Sequence, residues 1–216
     1  MPTPLVELTG VGVRLGNTPV LAGVSLSLAA GEVVGLVGAN GSGKTTLLRL
    51  VATLLRPSAG QARVLGADLG SEERYQVRPR IALIGHQPAL YAELSLQENS
   101  DFAAAIRGIH NGRAAEVIDL VGLAGARHRL AGACSHGMLR RAEFARALLL
   151  EPDLLLLDEA HAGLDPSAAG LVETVVRTVT ARGGGAIVVS HEPNRIGAFV
   201  DRTELLDDGK LEALRP

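Results

Sequence analysis

The sequence is poor in cysteine and in aromatic residues. Its 216 residues include one cysteine and no tryptophan, and Phe, Trp and Tyr together make up only 2%. A single cysteine excludes an internal disulfide bond and favours a reducing compartment. So few aromatic rings leave little surface on which the bases of a nucleic acid could stack. The composition therefore argues against a disulfide-stabilised secreted domain and against a base-stacking nucleic-acid binder.

Long apolar runs and a strong excess of one charge are also missing. No stretch reaches the ~20 apolar residues of a membrane-spanning helix, and the richest one, residues 147–157, contains Glu151, Pro152 and Asp153. The first residues lack the basic start and apolar core of a signal peptide. The net charge of −2 gives no support for a surface that binds nucleic acid or anionic lipid. We therefore predict a cytoplasmic protein without a membrane span of its own, which would work at a membrane only through another polypeptide.

The hydrophobic pattern predicts one α/β domain over residues 1–216. Strands are predicted at residues 6–14, 24–28, 33–37, 62–65, 81–84, 154–157, 186–189 and 203–206. Helices are predicted at residues 45–55, 96–107, 114–121, 138–150, 167–181 and 193–199. No strand pattern appears between about residue 88 and residue 150, so we predict a helical subdomain inserted into the core over this interval.

One segment carries a specific chemical motif. It reads Gly38-Ala39-Asn40-Gly41-Ser42-Gly43-Lys44-Thr45 and continues into Thr46. The segment fits the pattern G-x-x-x-x-G-K-[ST], and it lies between a predicted buried strand and a predicted helix, as that pattern requires. Glycines let several backbone N–H groups turn onto one anion, and the N-terminus of the helix adds its positive end. We predict a phosphate site for a nucleoside triphosphate, with Lys44 at the β- and γ-phosphates and Thr45 on Mg²⁺. The alternative is a glycine-rich turn with an incidental lysine.

A second motif is an acidic pair at the end of an apolar run. Residues 154–157 are all leucine and are followed by Asp158 and Glu159. A buried strand with acids at its C-terminal end would place them beside the phosphate loop of the same sheet. Asp158 is predicted to organise Mg²⁺, usually through water, and Glu159 to polarise the attacking water. The alternative is a buried strand with a polar end.

Taken together, these motifs resemble those of the ATP-binding cassette (ABC) ATPases, and the resemblance extends from residue 6 to about residue 211. Further matches, in chain order, are Gln87 to the Q-loop glutamine, Ser135-His136-Gly137 to the start of the signature helix, Gly163-Leu164-Asp165 to the D-loop, and His191 to the switch histidine. The resemblance implies a P-loop ABC cassette with a RecA-like mixed sheet, N-terminal antiparallel strands and a helical subdomain.

The same resemblance implies a mechanism. Two cassettes, identical or different, would close head to tail around two ATP molecules and so energise a polytopic membrane permease at the inner face of the cell membrane. Gln87 would sense Mg²⁺ and the permease, and His191 would contact the γ-phosphate. Ser135 and Gly137 would complete the site of the facing subunit, and Asp165 would belong to the same interface.

Two parts of the sequence, the signature and the expected adenine-stacking residue, depart from the family pattern. The signature, usually Leu-Ser-Gly-Gly-Gln, reads Cys134-Ser135-His136-Gly137-Met138 here, so we expect an altered composite site. Leu15 occupies the expected position of an adenine-stacking aromatic residue, which predicts loose selectivity for the base.

Three classes of ABC protein share these motifs. They are the ATPase of a membrane transporter, a soluble ATPase for protein assembly such as iron–sulfur cluster building, and a DNA-repair or chromosome ATPase. The third class carries long coiled-coil or zinc inserts, for which residues 44–135 show no heptads and no cysteine cluster. Within transporters, the run from Gly85 to Ser95 is most similar to the ATPase subunit of the haem exporter of cytochrome c maturation.

Overall fold

The computed structural model describes residues 3–109, 112–159, 161, 164, 169–191 and 193–213. The strands are β1 (Val6–Leu15), β2 (Thr18–Leu28), β3 (Val33–Val37), β4 (Ala59–Val64), β5 (Ala67–Asp68), β6 (Ile81–Ile84), β7 (Leu154–Asp158), β8 (Gly185–Val189), β9 (Arg202–Asp207) and β10 (Lys210–Ala213). The helices are α1 (Lys44–Val51), α2 (Arg74–Val77), α3 (Leu96–Ile106), α4 (Arg113–Leu120), α5 (His136–Leu150), α6 (Ala169–Thr180) and α7 (Pro193–Ile196).

The N-terminal strands form an antiparallel sheet in the order β2-β1-β4-β5. β1 and β2 make a hairpin in which Leu15 pairs with Thr18, so Gly16 and Asn17 alone form the turn. Gly16 has a φ of 58°, the left-handed conformation that such two-residue turns need. The second strand begins six residues before its predicted start at residue 24, because irregular pairing between β1 and β2 disturbs the alternation there.

The second sheet is mixed and has the order β10-β9-β3-β8-β7-β6. Strands β9, β3, β8, β7 and β6 run parallel, and β10 pairs antiparallel with β9. The C-terminal ends of β3, β8, β7 and β6 therefore lie along one edge. The predicted mixed-sheet cassette with a separate antiparallel sheet is confirmed, and this edge is where its loops converge.

Side chains along the parallel strands alternate between two cores. Leu154 and Leu156 of β7 pack in the core that holds α1 and the antiparallel sheet. Leu155 and Leu157 pack on the opposite face, against the helical layer. All four side chains are fully buried, and each contributes about 1.5–3 kcal/mol by leaving water. The all-leucine run thus suits a strand that is covered on both faces.

The interval between β6 and β7 is helical. Its described residues form α3, α4 and α5, and the only strand-like pairing found among them is an isolated bridge between Ser95 and Leu130. Ser95 begins α3 with a capping box, in which its Oγ accepts from Glu98 N at 3.1 Å and Glu98 Oε2 accepts from Ser95 N at 2.7 Å. A subdomain boundary at residues 88–150 remains a prediction.

Several short elements were not predicted from the sequence, namely β5, α2 and β10. Helix α1 also ends at Val51 rather than at residue 55. It ends early because buried Thr53 is left-handed, with a φ of 65°, and Arg78 donates to its Oγ1 at 2.9 Å and to its carbonyl oxygen at 2.8 Å. Strand β8 begins at Gly185, one residue before its predicted start at residue 186. None of the helices in the described part of the chain combines the length and apolarity needed to cross a bilayer.

Candidate active site

The loop between β3 and α1 is shaped by its glycines. Gly38 has a φ of 152° and Gly43 a φ of 108°. A Cβ added at Gly38 would lie 2.1 Å from the carbonyl oxygen of Leu206, and one at Gly43 would lie 2.8 Å from Leu21 Cδ2. Only glycine fits these two positions, because both the backbone angle and the nearby atoms exclude a side chain.

Lys44 lies across this loop. Its side chain is almost wholly buried, and its Nζ donates to the carbonyl oxygens of Gly38 at 2.8 Å and Ala39 at 2.9 Å. Within the described residues Lys44 has no carboxylate partner. A buried ammonium that is paired only with neutral carbonyls has unused capacity for an anion.

Two further oxygens lie beside the loop. The buried Ser42 Oγ has no hydrogen-bond partner among the described residues. Thr45 Oγ1 donates to Asp158 Oδ2 at 2.8 Å, and this bond ties α1 to the end of β7. The fold therefore brings the predicted phosphate loop and the predicted acidic residue into direct contact.

Glu159 has an unusual backbone. Its φ is 55°, a left-handed conformation that costs a non-glycine residue about 1–3 kcal/mol. Its N–H donates to the carbonyl oxygen of Val189 at 3.2 Å, which ties the end of β7 to the end of β8. Its Oε2 lies 2.6 Å from Nδ1 of His191, the residue that follows shortly after β8. The predicted catalytic glutamate and switch histidine thus form a pair.

These residues surround a cavity of about 240 Å³. Its lining consists of Val20, Asn40, Gly41, Gly43, Lys44, Thr45, Thr46, His86, Asp158 and Glu159. Larger cavities exist elsewhere, including an apolar groove of about 480 Å³, but this cavity is lined by Lys44, by two threonines and by both acids. Its chemistry, not its size, makes it the candidate site for a phosphorylated ligand.

The loop after β6 contributes His86 to this lining. Gln87, the predicted Q-loop residue, is exposed and is not part of the lining, so its role remains a prediction. The sequence motifs indicated neither His86 nor Val20, and both line the cavity. Leu15 itself is 46% exposed and lies outside this lining.

The predicted signature residues lie elsewhere. Ser135 caps α5, and its Oγ accepts from Met138 N at 3.3 Å. Ser135 and Gly137 line a separate, open cavity of about 660 Å³ together with His136, Met138 and Arg141. One chain therefore does not bring Ser135 and Gly137 to Lys44. The predicted D-loop residues Gly163 and Asp165 lie outside the described residues.

The donor atoms present fit Mg²⁺ bound together with phosphate. Thr45 and Asp158 supply a hydroxyl and a carboxylate oxygen at one place, and hard oxygen donors are the ligands that Mg²⁺ prefers. The part of the chain that the structure describes holds no group of three or more His, Cys, Asp or Glu side chains that could bind a metal alone. This agrees with an ion held by one or two protein oxygens plus the phosphates of a nucleotide.

Comparison with known proteins agrees with this geometry. The family model described as ABC transporter matches residues 21–162. A daunorubicin/doxorubicin resistance ATP-binding protein of Streptomyces peucetius is 37% identical over 98% of this chain, and the chain spans 65% of that relative's length. An aliphatic sulfonates import ATP-binding protein of Burkholderia lata is also 37% identical, over 99% of this chain and 80% of its own length. A methionine import ATP-binding protein of Rhizobium etli is 32% identical over 96% of this chain and 60% of its length.

Solved structures show the same fold. An ATP-binding subunit of an ABC transporter superposes with a TM-score of 0.88 at 27% identity, covering 97% of this chain and 90% of the other. A dimeric ATP-binding cassette in a post-hydrolysis state, bound to ADP and Pi, superposes with a TM-score of 0.86 at 26% identity, covering 98% and 99% of the two chains. The chain therefore belongs to the ABC transporter family, and it is an ABC ATPase cassette.

Proposed function

We propose that this cassette binds and hydrolyses MgATP in the cavity beside Lys44 and so powers a membrane permease. The observation that carries the proposal is the hydrogen bond between Thr45 and Asp158 at 2.8 Å, next to a buried lysine for which the described residues provide no carboxylate partner. A hydroxyl, a carboxylate and an ammonium at the start of a helix form the arrangement that a nucleotide triphosphate with its Mg²⁺ needs.

Each residue has a proposed task. Lys44 and the loop N–H groups neutralise the phosphate charge, and Ser42 offers a hydroxyl to which no described residue is hydrogen-bonded. Thr45 and Asp158 hold Mg²⁺, which supplies charge neutralisation at the phosphates when it is bound. Glu159 orients and polarises the attacking water, while His191, 2.6 Å from that carboxylate, fixes its position. Gln87 is proposed to sense both the metal and the permease.

Association of two cassettes completes the site in this proposal. Ser135 and Gly137 line a different cavity from Lys44, so a second copy or a related chain must present its own signature to the nucleotide. The N-terminus of the 15-residue α5 favours an anion at that point. Asp165 is proposed to belong to the same contact. A dimeric cassette with ADP and Pi among the similar structures supports this arrangement.

The apolar groove is the proposed docking place for the permease. It is lined by β6, α3, α5 and the segment 89–91, and its exposed side chains include Tyr91, Phe102 and Ile106. Tyr91 and Phe102 meet edge to face with ring centroids 5.3 Å apart, and Arg107 and Arg146 lie at the same groove. A short amphipathic helix from a cytoplasmic loop of a polytopic permease fits a groove with this apolar floor and charged border. The cassette would thereby lie on the cytoplasmic face of the membrane through its partner.

The similar proteins differ in the cargo that their names indicate. They are named for drug resistance, sulfonate import and methionine import, and these three roles belong to those proteins. The haem exporter of cytochrome c maturation remains a second candidate, supported by the run His86-Gln87-Pro88 and by Glu98-Asn99. Stimulation of the ATPase by a reconstituted permease in the presence of haem, but not of an anthracycline, would favour the haem candidate.

Substitution of Lys44 tests the nucleotide site. Lys44→Ala should abolish tight binding of ATP in calorimetry, because the phosphates lose the buried ammonium. The chain contains one other lysine, the exposed Lys210, so Lys210→Ala is a matched control that should bind like the wild type. Equal affinity of the two variants would overturn the assignment of the phosphate loop.

Substitution of Glu159 tests hydrolysis and association together. Glu159→Gln should bind ATP, hydrolyse it at least about a hundredfold more slowly, and accumulate as a dimer in light scattering. Glu116→Gln on the exposed face of α4 is the control and should hydrolyse normally. Co-purification with a polytopic membrane protein would separate the transporter from the soluble assembly ATPase, whose partner would be a scaffold protein instead.

A further inference from the structure

The segment from residue 85 to residue 91 borders two cavities at once. His86 lines the phosphate cavity. Ala89, Leu90 and Tyr91 line the apolar groove. Only two residues, Gln87 and Pro88, separate His86 from Ala89, so the position of one lining depends on the position of the other.

Side chains of α5 hold this segment from inside the protein. Arg140 Nη1 donates to the carbonyl oxygen of Gly85 at 2.7 Å, and its Nη2 donates to that of His86 at 3.0 Å. Glu143 Oε1 accepts from the N–H of Ala89 at 3.0 Å. The two side chains therefore bind the segment on both sides of Gln87.

Arg140 and Glu143 also bind each other, with Nη1 3.0 Å from Oε2, and both side chains are fully buried. Arg146 extends the cluster towards the groove, since it donates to the carbonyl oxygen of Ala89 at 2.7 Å and lies 3.7 Å from Glu143. Arg140 Nε has no hydrogen-bond partner among the described residues. Burial lowers the pKa of Arg140, against the opposing effect of the carboxylates of Glu143 and Asp158.

A buried ion pair of this kind is poor evidence for a stabilising role. Removing two charges from water costs several kcal/mol per ion, and apolar replacements of similar volume are often as stable. Burial raises the pKa of the Glu143 carboxyl because the charged form loses its hydration, although Ala89 N–H and Arg140 oppose the shift. The pair is better explained by the three backbone groups that it binds.

We propose that Arg140 and Glu143 are positioning residues that lock the segment 85–91, so that nucleotide at the His86 end and a partner at the Tyr91 end each set the position of the other. The proposal rests on the proposed function for its nucleotide, while the positioning itself is independent of it. A segment bound at Gly85, His86 and Ala89 moves as one body, because none of these backbone groups can shift without breaking a charge-assisted hydrogen bond.

Hydrogen exchange of the amides in residues 85–94 tests the proposal, with the double variant Arg140→Met/Glu143→Leu. Both residues are replaced because a single change would leave a buried charge without its partner. The matched control is Arg113→Met/Glu116→Leu, which removes an Arg–Glu pair of the same i,i+3 spacing whose side chains are 48% and 63% exposed. Without nucleotide, the double variant should exchange at least about tenfold faster than wild type in this segment, and the control should not.

A non-hydrolysable ATP analogue supplies the second comparison. In wild type and control it should slow exchange at residues 89–94, on the groove side of the segment, whereas the double variant should bind the analogue without this response. Steady-state kinetics of the double variant should show kcat lowered about tenfold with KM for ATP within about twofold of wild type.

The outcomes separate the two proposals. A wild type that binds no analogue would overturn the proposed function, and the comparison without nucleotide would still decide the positioning role. Unchanged exchange of the double variant without nucleotide, or an intact response at residues 89–94 in that variant, would overturn the positioning role while leaving the nucleotide site unaffected.

Discussion

The left-handed backbone of Glu159 predicts an inverted order of stability between two simple variants. At most positions alanine is more stabilising than glycine, because glycine loses more conformational freedom on folding. At a φ of 55° the Cβ atom of any residue other than glycine lies too close to the following carbonyl oxygen. We therefore expect Glu159→Gly to be more stable than Glu159→Ala. Both variants lose the contact with His191, and that loss cancels in the comparison.

The size of the inversion follows from two opposing terms. A left-handed conformation costs about 1–2 kcal/mol when a Cβ is present. Against this, glycine is about 0.5–1 kcal/mol less favourable than alanine, because the unfolded chain with glycine loses more conformational entropy on folding. Subtracting the mid-range values leaves a net preference for glycine at position 159 of about 0.75 kcal/mol, or about 1.5–3 °C in Tm for a domain of this size.

The assay is urea unfolding of both variants beside a control pair at Glu116. Glu116 lies in α4 and is exposed, so there alanine should exceed glycine by about 1 kcal/mol. The difference in unfolding free energy between the alanine and glycine variants should therefore have opposite signs at positions 159 and 116, while the m-values stay equal. If alanine is the more stable residue at position 159 as well, the backbone there is not strained.

Three further changes have defined expectations. Ser42→Ala should leave the free protein as stable as wild type or up to ~1 kcal/mol more stable, because its buried hydroxyl has no hydrogen-bond partner in the described part of the chain. ATP affinity in calorimetry should fall about tenfold. The N–H of Ser95, and then its hydroxyl, lower the pKa of Glu98, so the stability from this carboxylate is present above the ordinary pKa of 4.5 and is lost as pH falls through the lowered value. Glu98→Gln should therefore flatten the acid limb of a stability–pH curve, and an unchanged limb would contradict this. Leu156→Ala should cost about 2–5 kcal/mol in chemical unfolding, since the side chain is fully buried, whereas Leu120→Ala, at a side chain that is 64% exposed, should cost under about 0.5 kcal/mol.

Much of the site was predictable because its signals are local. The loop around Lys44 combines glycines, a lysine and a threonine at fixed spacing, and the backbone angles of Gly38 and Gly43 show why glycine is required. The leucine run before Asp158 predicts a buried strand, and two buried parallel strands bring their C-terminal ends together. The contact between Thr45 and Asp158 follows from those two facts.

The remaining features depend on tertiary packing, which no local pattern contains. On sequence alone, Arg140 and Glu143 look like ordinary polar residues of an amphipathic helix. In the structure both side chains are fully buried and bind the backbone of the segment 85–91. His86 rather than Gln87 lines the cavity because loop geometry, which has no periodicity, decides which neighbour points inward. The two-residue β5 is too short to give any alternation.

The position of β8 has a consequence for how the protein is made. In the sheet this strand lies between β3 and β7, with Val33 paired to Ala186 and Leu154 paired to Gly185. Synthesis proceeds from the N-terminus, so the ribosome completes the phosphate loop and the acidic pair before the strand that joins them. A nascent chain that ends at Glu159 holds the phosphate loop and both acids, but it lacks the strand that pairs with β3 on one side and with β7 on the other. The parallel sheet that carries the site can therefore become continuous only after translation has passed residue 189.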